Sequence, residues 1–389
     1  MAKKKGTVED VKDALVGIPK DPNSRGALWI SSGSTLADIV IGAGRGMGYE
    51  TGEVVLIESQ SGAGKTYWGH EIVANAFHSY KKQYPGKFKQ NYVDKESGAT
   101  FDSKEMFGIE IVPLDIEKRI RPKHIQELYG KAMNFFGDMK ADEYGVYVVD
   151  SINGFFDEKG EERSRERVDA ESRGKDYVAK TMGMELSKYL SQEFFKGLCP
   201  AVEEKNGLLV IIAQYRQKQL PSGGVYYDLQ MGEALKYFAN KRVKLTVAET
   251  IVVKGRQIGA VVRVETKKAR GPWPYREAFV TMYYETGIDN VTSNIDYLFD
   301  LRTPEGKLSA SEKKQMVVWD EPTEQELEGL KKAEIADLYK SRGMTRDELV
   351  RYIEANNLED ELAQRVIAKW NEEEKEASST LVGRKKRFE

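Results

Sequence analysis

The sequence predicts an α/β fold in which a mostly parallel central sheet is extended by antiparallel strands. Three observations predict it. Short apolar, β-branched runs, EVVLIE at 53–58, YGVYVVD at 144–150 and LLVIIAQ at 208–214, are separated by longer stretches with helical periodicity. That alternation marks strands buried on both faces and joined by helices. The first run passes into a glycine-rich turn at 59–66 and then into a helical pattern. Beyond residue 240, strand patterns follow one another with little helix between them, which suits antiparallel neighbours.

In chain order, residues 1–30 read as a short arm, a helical VEDVKDALVG and then a loop containing PKDPNSRG. The segment 31–48, SSGSTLADIVIGAGRGMG, is half small residues around one apolar patch, which predicts a short helix between tight turns. The strand from Glu53 leads through the turn into a helix, YWGHEIVANAFHSYKKQY, that stops before Pro85-Gly86. NYVD is a short strand ending at Asp94, and residues 106–118 supply another strand-like piece. A helix over 122–139 carries Ile125, Leu128, Ala132 and Phe135 at helical spacing. After the strand ending at Asp150 comes a long polar stretch and a helix up to Cys199. After the strand ending at Gln214, a polar, glycine-containing stretch reaches Asp228. A helix at 231–240 and strands at 243–253, 258–266 and 278–284 follow.

From Pro304 onward Glu, Lys and Leu dominate, and residues 320–376 hold 17 acidic against 9 basic side chains. Leu349, Ile353, Leu358, Leu362, Val366, Ile367 and Trp370 mark amphipathic helices there. The expected organisation is an arm over 1–30, a core over 31–303, a linker over 304–324, a small acidic helical domain over 325–371 and a charged tail over 372–389.

Composition narrows the function classes. The 389 residues include 60 Lys+Arg and 62 Asp+Glu, a net charge of −2, so no positive coat for nucleic acid is present, although a local basic groove remains open. With 40% hydrophobic and 31% charged residues, a disordered chain is disfavoured. One cysteine, Cys199, permits neither an intrachain disulfide framework nor a Cys-rich zinc site, and fits a reducing compartment. His70, His78 and His124 lie in no metal-ligand spacing. MAKKKGTVED is followed by no apolar run, and no stretch approaches 18 apolar residues, so a cytoplasmic protein with no membrane partner is expected.

The most specific motif is SQSGAGKT, residues 59–66, between a strand and a helix. A phosphate-binding loop needs small residues so that backbone N–H groups face the phosphates, a lysine for the β- and γ-phosphates and a hydroxyl on Mg²⁺. Gly62, Gly64, Lys65 and Thr66 fit those roles, with Gln60, Ser61 and Ala63 completing the loop and Ser59 standing where the usual first glycine would be. Asp150 closes an apolar strand, where a carboxylate would hold Mg²⁺ through water; such residues also end strands for no catalytic reason. Hydrolysis further needs a group to orient or deprotonate water. Glu96 is placed for this if its strand neighbours the loop strand, and Asp94 is its rival. Gln214 would sense the γ-phosphate and pass the information into the following loop, or simply cap its strand.

Two polar segments leave the sheet, 154–174 and 216–230. The first carries Arg163, Arg165, Arg167 and Arg173; the second carries Arg216, Lys218, Gly223, Gly224, Tyr226 and Tyr227. Cations and aromatics on loops suit backbone phosphates and stacked bases, and an enzyme lid has the same look. Lys267, Lys268 and Arg270 form a third basic group, either a solvated strand edge or a contact to an anion on a neighbouring subunit.

These residues resemble the RecA-type recombinases, ring- or filament-forming P-loop ATPases that coat single-stranded DNA, with a leaning toward the UvsX-like recombinases of phages. SSGSTLADIVIGAGRGMG is similar to the lead-in of bacterial RecA, DKESG at 94–98 to the phage form of the catalytic-glutamate motif, VVDS at 148–151 to the Mg²⁺-associated strand and IIAQYR at 211–216 to the sensor strand. The most specific match is MGEALKYFANKRV at 231–243, which resembles the helix after the second DNA-binding loop. KKARGPWPYREAFVTMYYETGID resembles the segment whose basic residues reach ATP across the subunit interface; Lys268 aligns with the second customary lysine, Thr266 occupies the first, and Lys267 lies between. The resemblance covers about 30–300.

The resemblance implies ATP and Mg²⁺ as cofactors, Glu96 as the catalytic glutamate, Gln214 as the switch and Lys268, with Lys267 as substitute, as the contact in trans. It makes 154–174 and 216–230 the two DNA loops. The implied activity is a DNA-dependent ATPase that forms a filament on single-stranded DNA and pairs it with homologous duplex, with single-strand-binding or mediator proteins as further partners. For a phage protein, the compartment would be the cytoplasm of a bacterial host. The rival readings are a hexameric helicase or DNA-repair ATPase on the same core, or a non-hydrolysing mediator.

Overall fold

The β-branched runs become parallel strands covered on both faces. The computed structural model describes residues 28–156, 166, 168–169, 172–173, 184–219, 223–229, 232–308 and 315–379. The expected helix at VEDVKDALVG and the end of the charged tail lie outside the described residues. A small β1 (Trp29–Ile30) pairs with β2 (Tyr49–Glu50) on either side of α1 (Thr35–Gly42). Ser34 caps α1 by accepting from the Ala37 N–H, and Ala43 and Gly44 turn the chain out of it at positive φ. This is the short helix between two turns that the small-residue pattern predicts.

The central strands are β3 (Val54–Ser59), β4 (Phe88–Asp94), β5 (Tyr144–Asp150), β6 (Gly207–Gln219) and β8 (Lys241–Val253), all mutually parallel. β8 then turns back into β9 (Arg256–Lys268), followed by β10 (Glu277–Tyr283) and β11 (Gly287–Asp289), each antiparallel to the last. The order across the sheet is β11-β10-β9-β8-β3-β6-β5-β4. Lys254 and Gly255, both at positive φ, form the two-residue turn between β8 and β9, the geometry that matches strand twist. The expected α/β sheet with an antiparallel extension is therefore present.

Alternate residues of β3 serve opposite faces, as strand geometry dictates. Val55 and Ile57 pack with Val146, Val148 and Ile212 beneath α2 (Lys65–Tyr80) and its Trp68, Ile72 and Val73. Val54 and Leu56 pack with Val149 and Ile211 beneath α4 (Ile125–Gly137) and a helical segment made of α5 (Met184–Tyr189), a π turn (Leu190–Phe194) and α6 (Phe195–Glu203). On α4 the fully buried phenylalanine is Phe136, not the expected Phe135, which is partly covered.

Two segments depart from the sequence reading. Residues 106–118 form no strand. They run from the end of the short α3 (Ser103–Phe107) through irregular chain to a 3₁₀ turn at Ile116–Lys118. Ile111 and Val112 are buried, which accounts for the apolar signal, but the carbonyls of Glu110 and Ile111 are met by the Gln90 side chain and not by a ladder. The second departure is 216–230. β6 continues to Gln219 and pairs antiparallel with β7 (Val225–Leu229), so the expected loop is largely a β-hairpin.

After α7 (Gly232–Phe238) and the antiparallel strands, α8 (Asn290–Leu298) leads to a helical C-terminal region with α9 (Lys332–Arg342), α10 (Arg346–Asn356) and α11 (Glu359–Ser379). Leu349, Ile353, Leu362, Val366 and Trp370 are buried in one cluster with Leu36, Val40 and Ile295. Asp296, which is buried, accepts from Arg302 at 2.7 Å and from Arg346 at 2.9 Å, tying α8 to α10.

Candidate functional site: a phosphate loop at the carboxyl edge of the sheet

Parallel strands bring their carboxyl ends to one edge, where an open α/β sheet takes its ligands. Here Ser59 lies beside Gln214, and Asp94 beside Asp150, as register partners. The chain leaves β3 at Ser59, makes the loop and enters α2 at Lys65. Ser59 is the last residue of an extended strand and its hydroxyl donates to the Gln60 carbonyl at 2.6 Å, so this position does not need glycine. Gly62 and Gly64 do, with φ of 82° and 77°; at Gly64 a Cβ would also lie 2.0 Å from Met282 Cε. Ala63 is buried under the loop, while Gln60, Ser61 and Gly62 are open to solvent or nearly so. The free N–H groups and positive end of α2 favour an anion there.

Lys65 Nζ curls over the loop and donates to the Gln60 carbonyl at 2.8 Å. Burial lowers the pKa of its ammonium, while the Asp150 and Glu96 charges act in the opposite direction. Asp150 is buried, hydrogen-bonded to the Thr66 side chain and to the Tyr92 hydroxyl, which donates to Oδ2 at 2.9 Å; burial raises its pKa. The Asp150–Ser151 peptide is cis. Ser151 Oγ donates to Glu96 Oε1 at 2.6 Å. Asn153 grips the next strand: its Oδ1 accepts from the Gln214 N–H at 2.7 Å, and its Nδ2 donates to the Gln214 carbonyl at 3.4 Å.

The two rival carboxylates separate clearly. Asp94 is 2% exposed and accepts from the Gly98 and Ala99 N–H groups at 2.9 and 3.2 Å and from Arg119 at 3.2 Å. It is the clamp of the 94–99 turn. β4 is not the neighbour of β3 that the sequence reading required, because β6 and β5 lie between them. Glu96 is nonetheless exposed, close enough for its charge to act on Lys65, and held by one serine hydroxyl, so its second oxygen could take a water.

The oxygen donors Thr66 and Asp150 suit Mg²⁺, a hard cation that draws its remaining ligands from phosphates and water. No group of three or more His, Cys, Asp or Glu able to hold a metal ion exists among the described residues.

Lys268 lies elsewhere. It is the register partner of Arg242, which pairs with Leu56, three residues before Ser59 and two strands away. From strand spacings its Cα is on the order of 14 Å from that of Ser59. Its Nζ donates to the carbonyls of Lys236 and Tyr237, at 3.2 and 2.7 Å, at the end of α7. Lys267 pairs with Glu265, and Thr266 is buried and bonded to Arg276. Lys268 and Arg270 line a cavity of about 680 Å³ with Arg45, Glu50, Glu203 and Lys205. None of this brings Lys267 or Lys268 to the phosphate loop of its own chain.

On the hairpin, Arg216 faces Asp228 and Lys218 faces Tyr226 across the strands. Arg216 is exposed, and Val225, Tyr226 and Tyr227 are 50%, 41% and 54% exposed. Gly223 and Gly224 lie in the connection, Gly223 at a φ of 86° with open space around it. Arg173 is exposed; Arg163, Arg165 and Arg167 lie outside the described residues, as does the Lys218 side chain. Sequence reasoning missed the partners Tyr92, Ser151 and Asn153. Each sits on or just after a strand carrying a motif residue, which is the one signal that marked them.

Comparison with known proteins adds an independent line. Residues 168–289 match the RecA N-terminal domain family, a span covering the hairpin and the antiparallel strands but not the phosphate loop. The chain is 24% identical to Protein RecA of Mesoplasma florum over 269 residues, 69% of this chain and 71% of that protein. It is likewise 24% identical to Protein RecA of Acholeplasma laidlawii over 272 residues, 70% and 73% of the two chains. Against Protein RecA of Leptospira meyeri the identity is 24% over 267 residues, 69% of this chain and 61% of that one. The finer likeness to UvsX-type recombinases rests on the residue pattern alone. With the sheet order and the glycine-rich loop already in place, these matches make the chain similar to the RecA-type recombinases over about 70% of its length.

Proposed function

We propose that this protein is an ATP-dependent recombinase that binds single-stranded DNA, assembles on it as a filament and promotes pairing and strand exchange with homologous duplex. One observation carries the reading: β6 runs without interruption from the phosphate edge into the hairpin. Gln214 abuts Ser59, and two residues later Arg216 is already a hairpin residue. A displacement of Gln214 toward or away from a γ-phosphate therefore moves the strand that bears Arg216 and Lys218 and faces Tyr226 and Tyr227. Those cations and exposed rings suit a strand of phosphates and unstacked bases.

At the other end of the same strand, the loop N–H groups and Lys65 would hold the phosphates of ATP. Glu96, oriented by Ser151, would position the attacking water and accept its proton. Mg²⁺, held through Thr66 and Asp150, would neutralise charge on the phosphate oxygens. Lys268, which is bonded to the end of α7 and not to its own loop, would meet the nucleotide of a neighbouring protomer, so that turnover depends on assembly. No described helix is long and apolar enough to cross a membrane.

The test is ATP turnover with and without single-stranded DNA. The reading expects strong stimulation by DNA and loss of that stimulation in Lys268→Ala, with nucleotide binding kept. Turnover indifferent to DNA would overturn it.

A further inference from the structure

We infer that Tyr92 is a positioning residue for the metal-side carboxylate and that Gly69 exists to admit it. The inference rests on the reading of 59–66 as an ATP·Mg²⁺ site and adds to it two residues that carry none of the motif chemistry.

Tyr92 is on β4, two residues before Asp94, and is 5% exposed. Its hydroxyl points across to the neighbouring strand, donating to Asp150 Oδ2 at 2.9 Å, and the Thr66 carbonyl lies 3.4 Å away. A buried carboxylate with few partners is free to rotate about its last torsion. A phenol donor pins one oxygen, which leaves the remaining lone pairs in a fixed direction. The same Thr66 carbonyl has a second neighbour: His70 Nδ1, one turn along α2, lies 2.8 Å from it, and the His70 ring packs on Tyr92 with centroids 4.4 Å apart. Tyr92 thus touches both elements that would hold the cation, the first turn of α2 and the end of β5.

The second observation is independent. Gly69 lies inside α2, where glycine costs about 1 kcal/mol relative to alanine and no turn or positive φ asks for it. A Cβ at this position would lie 2.9 Å from Tyr92 Oη and 3.1 Å from Ile212 Cδ1. The helix therefore gives up a side chain at the one place where the phenol passes. Were Tyr92 only a core filler, a phenylalanine with alanine at 69 would pack with less cost to the helix.

The experiment measures equilibrium binding of a fluorescent, slowly hydrolysed ATP analogue, in excess Mg²⁺ and in excess EDTA, to wild type, Tyr92→Phe, Gly69→Ala and the double variant. Wild type should bind more tightly in Mg²⁺ than in EDTA. Tyr92→Phe should lose about tenfold in Mg²⁺, the range for removing a partner of a metal ligand, and change little in EDTA. Gly69→Ala should show the same selective loss, and on the Tyr92→Phe background it should add little more. Equal losses in both media would make Tyr92 a packing residue, and affinities equal to wild type in both would remove the role; either overturns the inference. Failure of wild-type protein to bind the analogue at all would instead overturn the ATP reading and this inference with it.

Discussion

Glu96 and Asp94 are two residues apart and both carboxylates, yet removing their charges should have opposite consequences. Glu96→Gln is isosteric at an exposed position with one hydrogen bond, from Ser151, so its effect on stability should stay within about 0.5 kcal/mol. The amide cannot accept a proton from water, and loss of a general base costs roughly 10²–10⁴ in turnover. Asp94→Asn strikes a carboxylate that is 2% exposed, receives two backbone N–H groups and pairs with an Arg119 side chain that is 9% exposed. Breaking such a pair strands the arginine and turns an amide N–H toward another, costing about 3–5 kcal/mol. For a chain of this size the melting temperature should fall by about 4–6 °C. The assay is thermal unfolding together with DNA-stimulated ATP turnover on the same preparations. The refuting pattern is the reverse: Glu96→Gln that still turns over at wild-type rate, with Asp94→Asn inactive but as stable as wild type.

Lys241 is buried on β8, pairs with Glu53 at 2.9 Å, donates to the Gly48 carbonyl and lies 4.8 Å from the Trp29 ring centre. Lys241→Met should destabilise by about 3 kcal/mol in denaturant unfolding, and adding Glu53→Gln should recover part of that. Glu71 is buried on α2, and burial raises its pKa from 4.5 to about 7. The folded state then holds a proton that the unfolded state has lost. The stability from this group is full below pH 4.5 and disappears as pH rises through about 7. Glu71→Gln should flatten that part of the stability–pH curve, leaving the slope from Asp38, whose pKa burial raises to about 6. On the hairpin, Tyr226→Ala or Tyr227→Ala should weaken single-strand binding by about 1–3 kcal/mol per stacked base. Arg216→Ala should instead reduce the salt slope of binding by about 0.7 per lost phosphate contact.

The parts legible in the sequence are those whose cause is local. EVVLIE, SQSGAGKT and the helix after it are consecutive, and their burial, turn geometry and lysine placement follow from residue type alone. The parts that were not legible depend on partners distant in the chain. Glu58 sits within an apolar strand, yet it is fully buried because Arg242, far along the sequence, pairs with it at 3.0 Å. The hairpin of β6 and β7 is polar on both faces, so no period-2 burial signal marks YRQKQ as strand; only the aromatic VYYDL after the glycines hinted at it. Residues 106–118 misled in the other direction, because Ile111 and Val112 are buried by covering the sheet margin and not by joining it. The division between Glu96 and Asp94 needed the turn at Gly98 and Ala99, whose N–H groups only the folded chain brings to Asp94.

The central claim is that nucleotide state, read by Gln214, governs a polymer of this chain on single-stranded DNA. Electron microscopy of the protein with single-stranded DNA, Mg²⁺ and a slowly hydrolysed ATP analogue tests it most directly. The account predicts continuous helical filaments that are absent without nucleotide and absent in Lys268→Ala. Closed rings, or DNA bound only by scattered single particles under those conditions, would contradict it.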